Sequence, residues 1–66
     1  MVKMNKLYTQ CFTTPAGRQV LHHLRTITIE RALGANATES ELRSLEAQRA
    51  LVRQIEICTE RGKNEN

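Results

Sequence analysis

Two capped helical stretches separated by a short break constrain this chain more than anything else in it. Thr14-Pro15 opens the first stretch and Thr38-Glu39-Ser40-Glu41 opens the second. Threonine caps the free amides of a helix start, and proline suits the first helical position because its missing N–H has no partner there anyway. Thr38 and Glu41 have the spacing of a capping box, and Glu39 and Glu41 suit the positive end of the helix dipole. The spacing predicts one helix from Pro15 to about Leu33, closed by Gly34, and another from Thr38 to about Arg61, closed by Gly62. A shorter amphipathic helix is expected over residues 3–12, where Met4, Leu7, Tyr8, Cys11 and Phe12 recur at helical intervals.

The predicted fold class is all-α. It is an antiparallel helical hairpin with a short N-terminal helix, residues 1–62 forming one domain and 63–66 a disordered tail. At 100° per residue, Val20, Leu24 and Ile27 face Leu45, Val52 and Ile55 across the hairpin, and Leu7, Tyr8 and Phe12 fold the short helix over its open side. Salt bridges along the second long helix are expected for Glu39–Arg43, Glu46–Arg49 and Arg53–Glu56. Gly17 is unfavourable inside a helix by about 1 kcal/mol against alanine, so it suits a place where another backbone comes close.

This hairpin has too little apolar material to close on itself. A chain of 66 residues buries only about 60% of its unfolded surface, and domains below about 70 residues lean on disulfides, metals or oligomerisation. Leu42, Leu51 and Ile57 point in different directions from the second helix, and Ile29 is an apolar residue on the polar face of the first. Together with Val20, Leu24 and Ile27 they form the candidate interface. Apolar edges of this kind mark self-association or docking on a larger body.

The chemistry-bearing residues are sparse. Cys11 and Cys58 are far apart and read as two reduced, half-buried thiols, because the Met1-Val2-Lys3 start has no apolar leader. His22 and His23 are adjacent, so on a helix they diverge by about 100° and cannot share a metal as residues four apart do. They read as imidazoles at the surface, His23 partly covered at the hairpin edge. A zinc site from Cys11, His23 and Cys58 requires a convergence that nothing in the spacing supports. There is no Ser–His–acid context, no glycine-rich phosphate loop, and no run long enough to span a membrane. The expectation is a non-enzymatic protein without cofactors.

The chain carries a formal charge of +3, with most of the surplus before residue 32. Arg18, His22 and Arg25 form a one-sided row able to track phosphates. Nucleic acid is therefore a weaker candidate partner, and a small basic nucleic-acid-associated or host-takeover regulator is the alternative reading. Two aromatic residues are too few for a base-stacking platform. A helix-turn-helix is disfavoured, since Glu39 and Glu41 at the start of the second helix repel phosphate.

The string Phe12-Thr13-Thr14-Pro15-Ala16-Gly17-Arg18, followed by Val20-Leu21 and Leu24 and later by Gln48-Arg49-x-Leu51-Val52-x-x-Ile55, resembles a family of short tailed-bacteriophage proteins encoded near portal and head genes. Ala47 stands close to where that pattern carries a glycine before the arginine. The resemblance implies a small helical virion or assembly component and no catalytic residues. Its expected partner is itself or a larger phage protein such as a portal or head component. Its expected location is the host cytoplasm during infection or the virion.

Overall fold

The computed structural model describes residues 3–64. It contains three helices, α1 (Met4–Phe12), α2 (Pro15–Ile27) and α3 (Glu39–Gly62), and no strand among those residues. The all-α hairpin with a short N-terminal helix is therefore the architecture. Arg18 and His22 lie level with Glu60 and Lys63, and Thr28 lies level with Arg49, so α2 and α3 run antiparallel.

The two helix starts form as their residues dictate. The Thr14 hydroxyl accepts from the Gly17 amide at 3.0 Å and donates to the Cys11 carbonyl at 3.2 Å, stitching α2 to the end of α1. The Thr38 hydroxyl accepts from the Glu41 amide at 3.1 Å and donates to the Glu41 carboxylate at 3.1 Å.

The end of α2 differs from the expectation. The helix stops at Ile27 rather than Leu33, and residues 28–38 form the link. Thr26, Ile27, Thr28 and Ile29 make a run of four β-branched residues, which lose side-chain freedom in a helix. Thr28 turns its hydroxyl back to the Leu24 carbonyl at 2.6 Å, and its backbone leaves the helical region at φ −125°, ψ −76°. Two carbonyls of the segment leaving α2 then gain a partner from outside it. The Arg49 guanidinium donates to Thr28 O at 2.9 Å and also to Arg31 O. Gly34 is thus no helix cap, and no glycine has a positive φ. Ile29, which the longer helix would have placed on a polar face, sits half-buried in the turn after α2.

Packing is centred on α1 against the C-terminal end of α3. Two glycines make it close. A Cβ on Gly62 would lie 2.7 Å from the Asn5 carbonyl carbon, and closer still to the Asn5 oxygen and the Thr9 hydroxyl. A Cβ on Gly17 would lie 2.9 Å from both the Cys11 carbonyl carbon and the Phe12 Cα, and closer to the Cys11 oxygen. Gly17 does admit another backbone, and it is that of α1. Across the α1–α3 contact the Thr9 hydroxyl donates to Thr59 O at 2.5 Å.

The α2–α3 seam is thinner than the periodicity suggests and is rotated toward polar residues. Leu45, Val52, Thr28 and Thr59 are buried, while Leu21, Leu24 and Ile55 are half-buried. Val20 and Ile27, expected inside this seam, are 52% and 43% exposed. Their place is taken by Arg25, which donates to both carboxylate oxygens of Glu56 at 3.0 and 2.8 Å. Glu56 therefore pairs between helices rather than with Arg53, whereas Glu39–Arg43 and Glu46–Arg49 form as expected at 3.0 and 2.6 Å. Leu7 is exposed, so α1 docks through its Asn5, Thr9 and Phe12 side rather than through Leu7.

Lys63 and Asn64 continue α3 as a turn, their amides donating to Glu60 O and Arg61 O. Glu65 and Asn66, the rest of the expected disordered tail, lie outside the described residues, as do Met1 and Val2.

Candidate interaction site

The basic row of α2 opens onto a cleft of about 310 Å³ between α2, the end of α1 and the last turns of α3. Phe12 and Leu21 form its apolar part, Arg18, Arg25 and Lys63 bring positive charge, and His22 lies among them. Much of that charge is answered within the chain. Arg25 is held by Glu56 and, at 3.4 Å, by Glu30, and Lys63 meets Glu60 at 3.0 Å. Arg18 and His22 remain as the outward-facing members of the row, both exposed. Arg25 Nη1 donates to both oxygens of Glu56 while its Nε faces Glu30, so one guanidinium ties α2 to α3 and to the start of the link.

The predicted interface residues do not gather on one face. Val20, Ile27, Leu42, Leu51 and Ile57 are exposed, Leu51 most of all at 63%, while Leu24 and Ile29 are half-buried. On α3, Leu42 and Ile57 lie on the sides that carry its charges, and Leu51 lies on a side that carries none. Two exposed residues of α1, Met4 and Leu7, belong with this apolar set. The amphipathic stripe of α1 contains them, and docking through Leu7, Tyr8 and Phe12 is the expectation from sequence. Instead Met4, Leu7, Tyr8, Cys11 and Phe12 line an open groove of about 220 Å³. Tyr8 and Phe12 stack there with ring centroids 6.3 Å apart and planes 22° from parallel.

Arg49 is the polar residue whose role periodicity hides. It reads as one member of an exposed salt bridge with Glu46, yet its side chain is half-buried and ties the α2–α3 link to α3. A signal was available: an arginine beside the buried arc of a long helix, opposite a β-branched helix end whose carbonyls need donors.

The thiols of Cys11 and Cys58 are both free, Cys11 exposed and Cys58 half-buried. His22 and His23 are both exposed, so His23 has no cover from the hairpin edge. Among the described residues no three His, Cys, Asp or Glu side chains gather as a metal-holding group. Among the same residues no helix is long and apolar enough to cross a membrane.

Comparison with known proteins gives one result. Neither the curated proteins nor the solved structures contain a match to this chain. The model of one family, described as Bbp19-like phage protein, matches residues 8–65. That match takes in part of α1, all of α2 and α3, both close-approach glycines, and the arginines that hold the hairpin and its link. This chain belongs to the family of Bbp19-like phage proteins.

Proposed function

We propose that this phage protein is a small structural or assembly component, without enzymatic activity, that attaches to a larger assembly such as the portal, the head or the ejected contents. The observation that carries the reading is how little of the fold is closed off from water. Its extents are 47 × 23 × 14 Å, so the chain is elongated. Its radius of gyration is 14.2 Å, where a compact domain of this length has about 11 Å. Stable domains put two layers around a core. In this chain α1 covers only the C-terminal end of the hairpin, and Val20, Ile27, Leu42, Leu51 and Ile57 stay in water.

The polar side chains support the same reading by what they hold. Arg25, Arg49, Thr9 and Thr14 all bind neighbouring segments of the chain itself, as suits a rigid part made to be fitted. The nucleic-acid alternative loses Arg25 from its contact row, because Glu56 and Glu30 already answer that charge.

The test is mass spectrometry of purified particles and of assembly intermediates, paired with capture of portal and head proteins by the tagged chain. The reading expects the chain at a fixed copy number in one of these. Its absence from both particles and intermediates, with no capture of either protein, would refute it. A duplex-DNA titration across a salt series decides the alternative: a steep slope that flattens on Arg18→Ala supports it, and absence of binding at low salt removes it.

A further inference from the structure

We infer that the charge-free side of the α2–α3 hairpin docks a second copy of this chain, giving a two-layer helical dimer. The inference rests on the reading of the protein as a part completed by a partner, and it names that partner.

Along α3 an arc of about 120° contains no Asp, Glu, Lys or Arg over its whole length. Ser44, Ala47, Gln48 and Leu51 are its exposed part, whereas Ile55 and Cys58 are half-buried and Gly62, at the end of the same arc, is covered by α1. On α2, Ala16, Val20, His23 and Ile27 form the matching charge-free stripe, turned away from Arg18, His22 and Arg25. The two stripes belong to one side of the hairpin. The opposite arcs share the cleft lined by Arg18, His22 and Arg25 from α2 and by Glu56 and Glu60 from α3, and in an antiparallel pair the remaining arcs then fall together on the other side. Helix α1 meets the C-terminal end of α3 at Thr59 and Gly62. Val20 beside it, and Ile27 and Leu51 beyond it, stay exposed.

Charge and area favour a second copy as the occupant. Identical chains of net charge +3 repel one another, so they meet most easily across a surface with no fixed charge. The other side carries fixed charges of both signs, among them Arg18, Arg53, Glu60 and the Arg25–Glu56 pair, which a contact there would have to strip of water. The chain exposes 5117 Å², whereas a folded monomer of 7.5 kDa exposes about 4250 Å². The excess of about 870 Å² is close to the roughly 800 Å² that each partner contributes to a standard stable interface. Two hairpins face to face also extend the layered helical packing that α1 supplies only at the C-terminal end of α3. A twofold axis would place the same stripe on both sides of the contact.

Light scattering after size exclusion, with sedimentation equilibrium for the dissociation constant, tests this. The expected result is a particle of twice the 7.5 kDa chain mass. Leu51→Glu and, separately, Val20→Glu weaken the pairing by roughly 100-fold, because like charges then face each other across the axis. Leu42→Glu, which replaces an exposed leucine on the charged side, leaves the dimer intact. Both altered leucines are exposed, so the helical circular dichroism is retained, and Ala47→Glu provides a further variant on the same stripe. A chain that stays monomeric at about 100 µM, a concentration well above ordinary self-association constants, overturns the inference. So does a dimer indifferent to Leu51→Glu and Ala47→Glu. A monomer that still enters particles overturns the pairing alone and leaves the assembly role standing. A dimer broken by Leu51→Glu but absent from particles and intermediates upholds the pairing and overturns that role.

Discussion

Gly62→Ala sets two effects of one methyl group against each other, and the structure decides which is larger. Helix propensity favours alanine by at most about 1 kcal/mol, and by less here because Gly62 is the last residue of α3. Against this, the new Cβ would lie 2.7 Å from the Asn5 carbonyl carbon, where ordinary contact begins at 3.4 Å. Helix α1 must therefore retreat by about 0.7 Å from that atom and by more from the two oxygens. The obstacle is mostly backbone, so a rotamer change does not relieve it. Overpacking of this kind costs about 1–3 kcal/mol, and the stretched Thr9–Thr59 hydrogen bond costs about 1 kcal/mol more. The net expectation is a loss of about 1–3 kcal/mol. For a chain of this size each kcal/mol moves Tm by about 4–8 °C.

The assay is thermal melting followed by circular dichroism at the helix band. A second readout is the signal before melting. Helix α1 has nine residues, too few to persist alone, and it holds about a fifth of the helical residues. If it detaches, the helical signal falls by about that fraction. Gly34→Ala is the matched control. A Cβ there meets nothing within 4 Å and the glycine has no positive φ, so the change stabilises by about 0.4–1 kcal/mol through the unfolded chain. A Gly62→Ala protein that melts higher than the parent and keeps its full helical signal would refute the close packing of α1 on α3.

Other expectations follow from the same contacts. Arg49→Lys leaves the carbonyls of Thr28 and Arg31 without a forked donor and costs about 1.5–3 kcal/mol by urea denaturation, the retained charge giving little rescue. Thr14→Ala and Thr38→Ala each remove a cap and cost about 1 kcal/mol in the same assay, with Thr14 the larger because its second bond joins α2 to α1, whereas that of Thr38 stays within its own capping box. Glu56→Gln costs no more than about 1 kcal/mol, since its pair with Arg25 is partly solvated, and the difference from the parent shrinks as salt is raised.

The helix starts were legible because a cap is local chemistry. Thr14-Pro15 and Thr38 to Glu41 carry their partners within four residues, and both formed. The length of α3 was legible for the same reason, from its cap to Gly62. The end of α2 was not. Gly34 is a strong local stop, but the β-branched run from Thr26 to Ile29 weakens the helix before it, and the donor that satisfies the departing carbonyls is Arg49, far along the chain. The inner faces were misplaced by a similar cause. Periodicity put Val20 and Ile27 inward, whereas Arg25 and Glu56 meet across the hairpin and turn the seam toward themselves. Of the candidate site, the exposed apolar residues of α3 could be named from the sequence. That Leu51 shares a charge-free side with Val20 and Ile27 follows only once the direction and facing of the helices are known. The unfavourable placing of Gly17 was visible too, but its reason is the end of α1 pressed against it.

The stacked rings of Tyr8 and Phe12 have a practical consequence. The chain has no tryptophan and a single tyrosine, so all its useful ultraviolet emission originates in α1, at the edge of the open groove. Tyrosine anisotropy and quenching therefore report whether that short segment is seated, without any label, while the rest of the molecule stays dark.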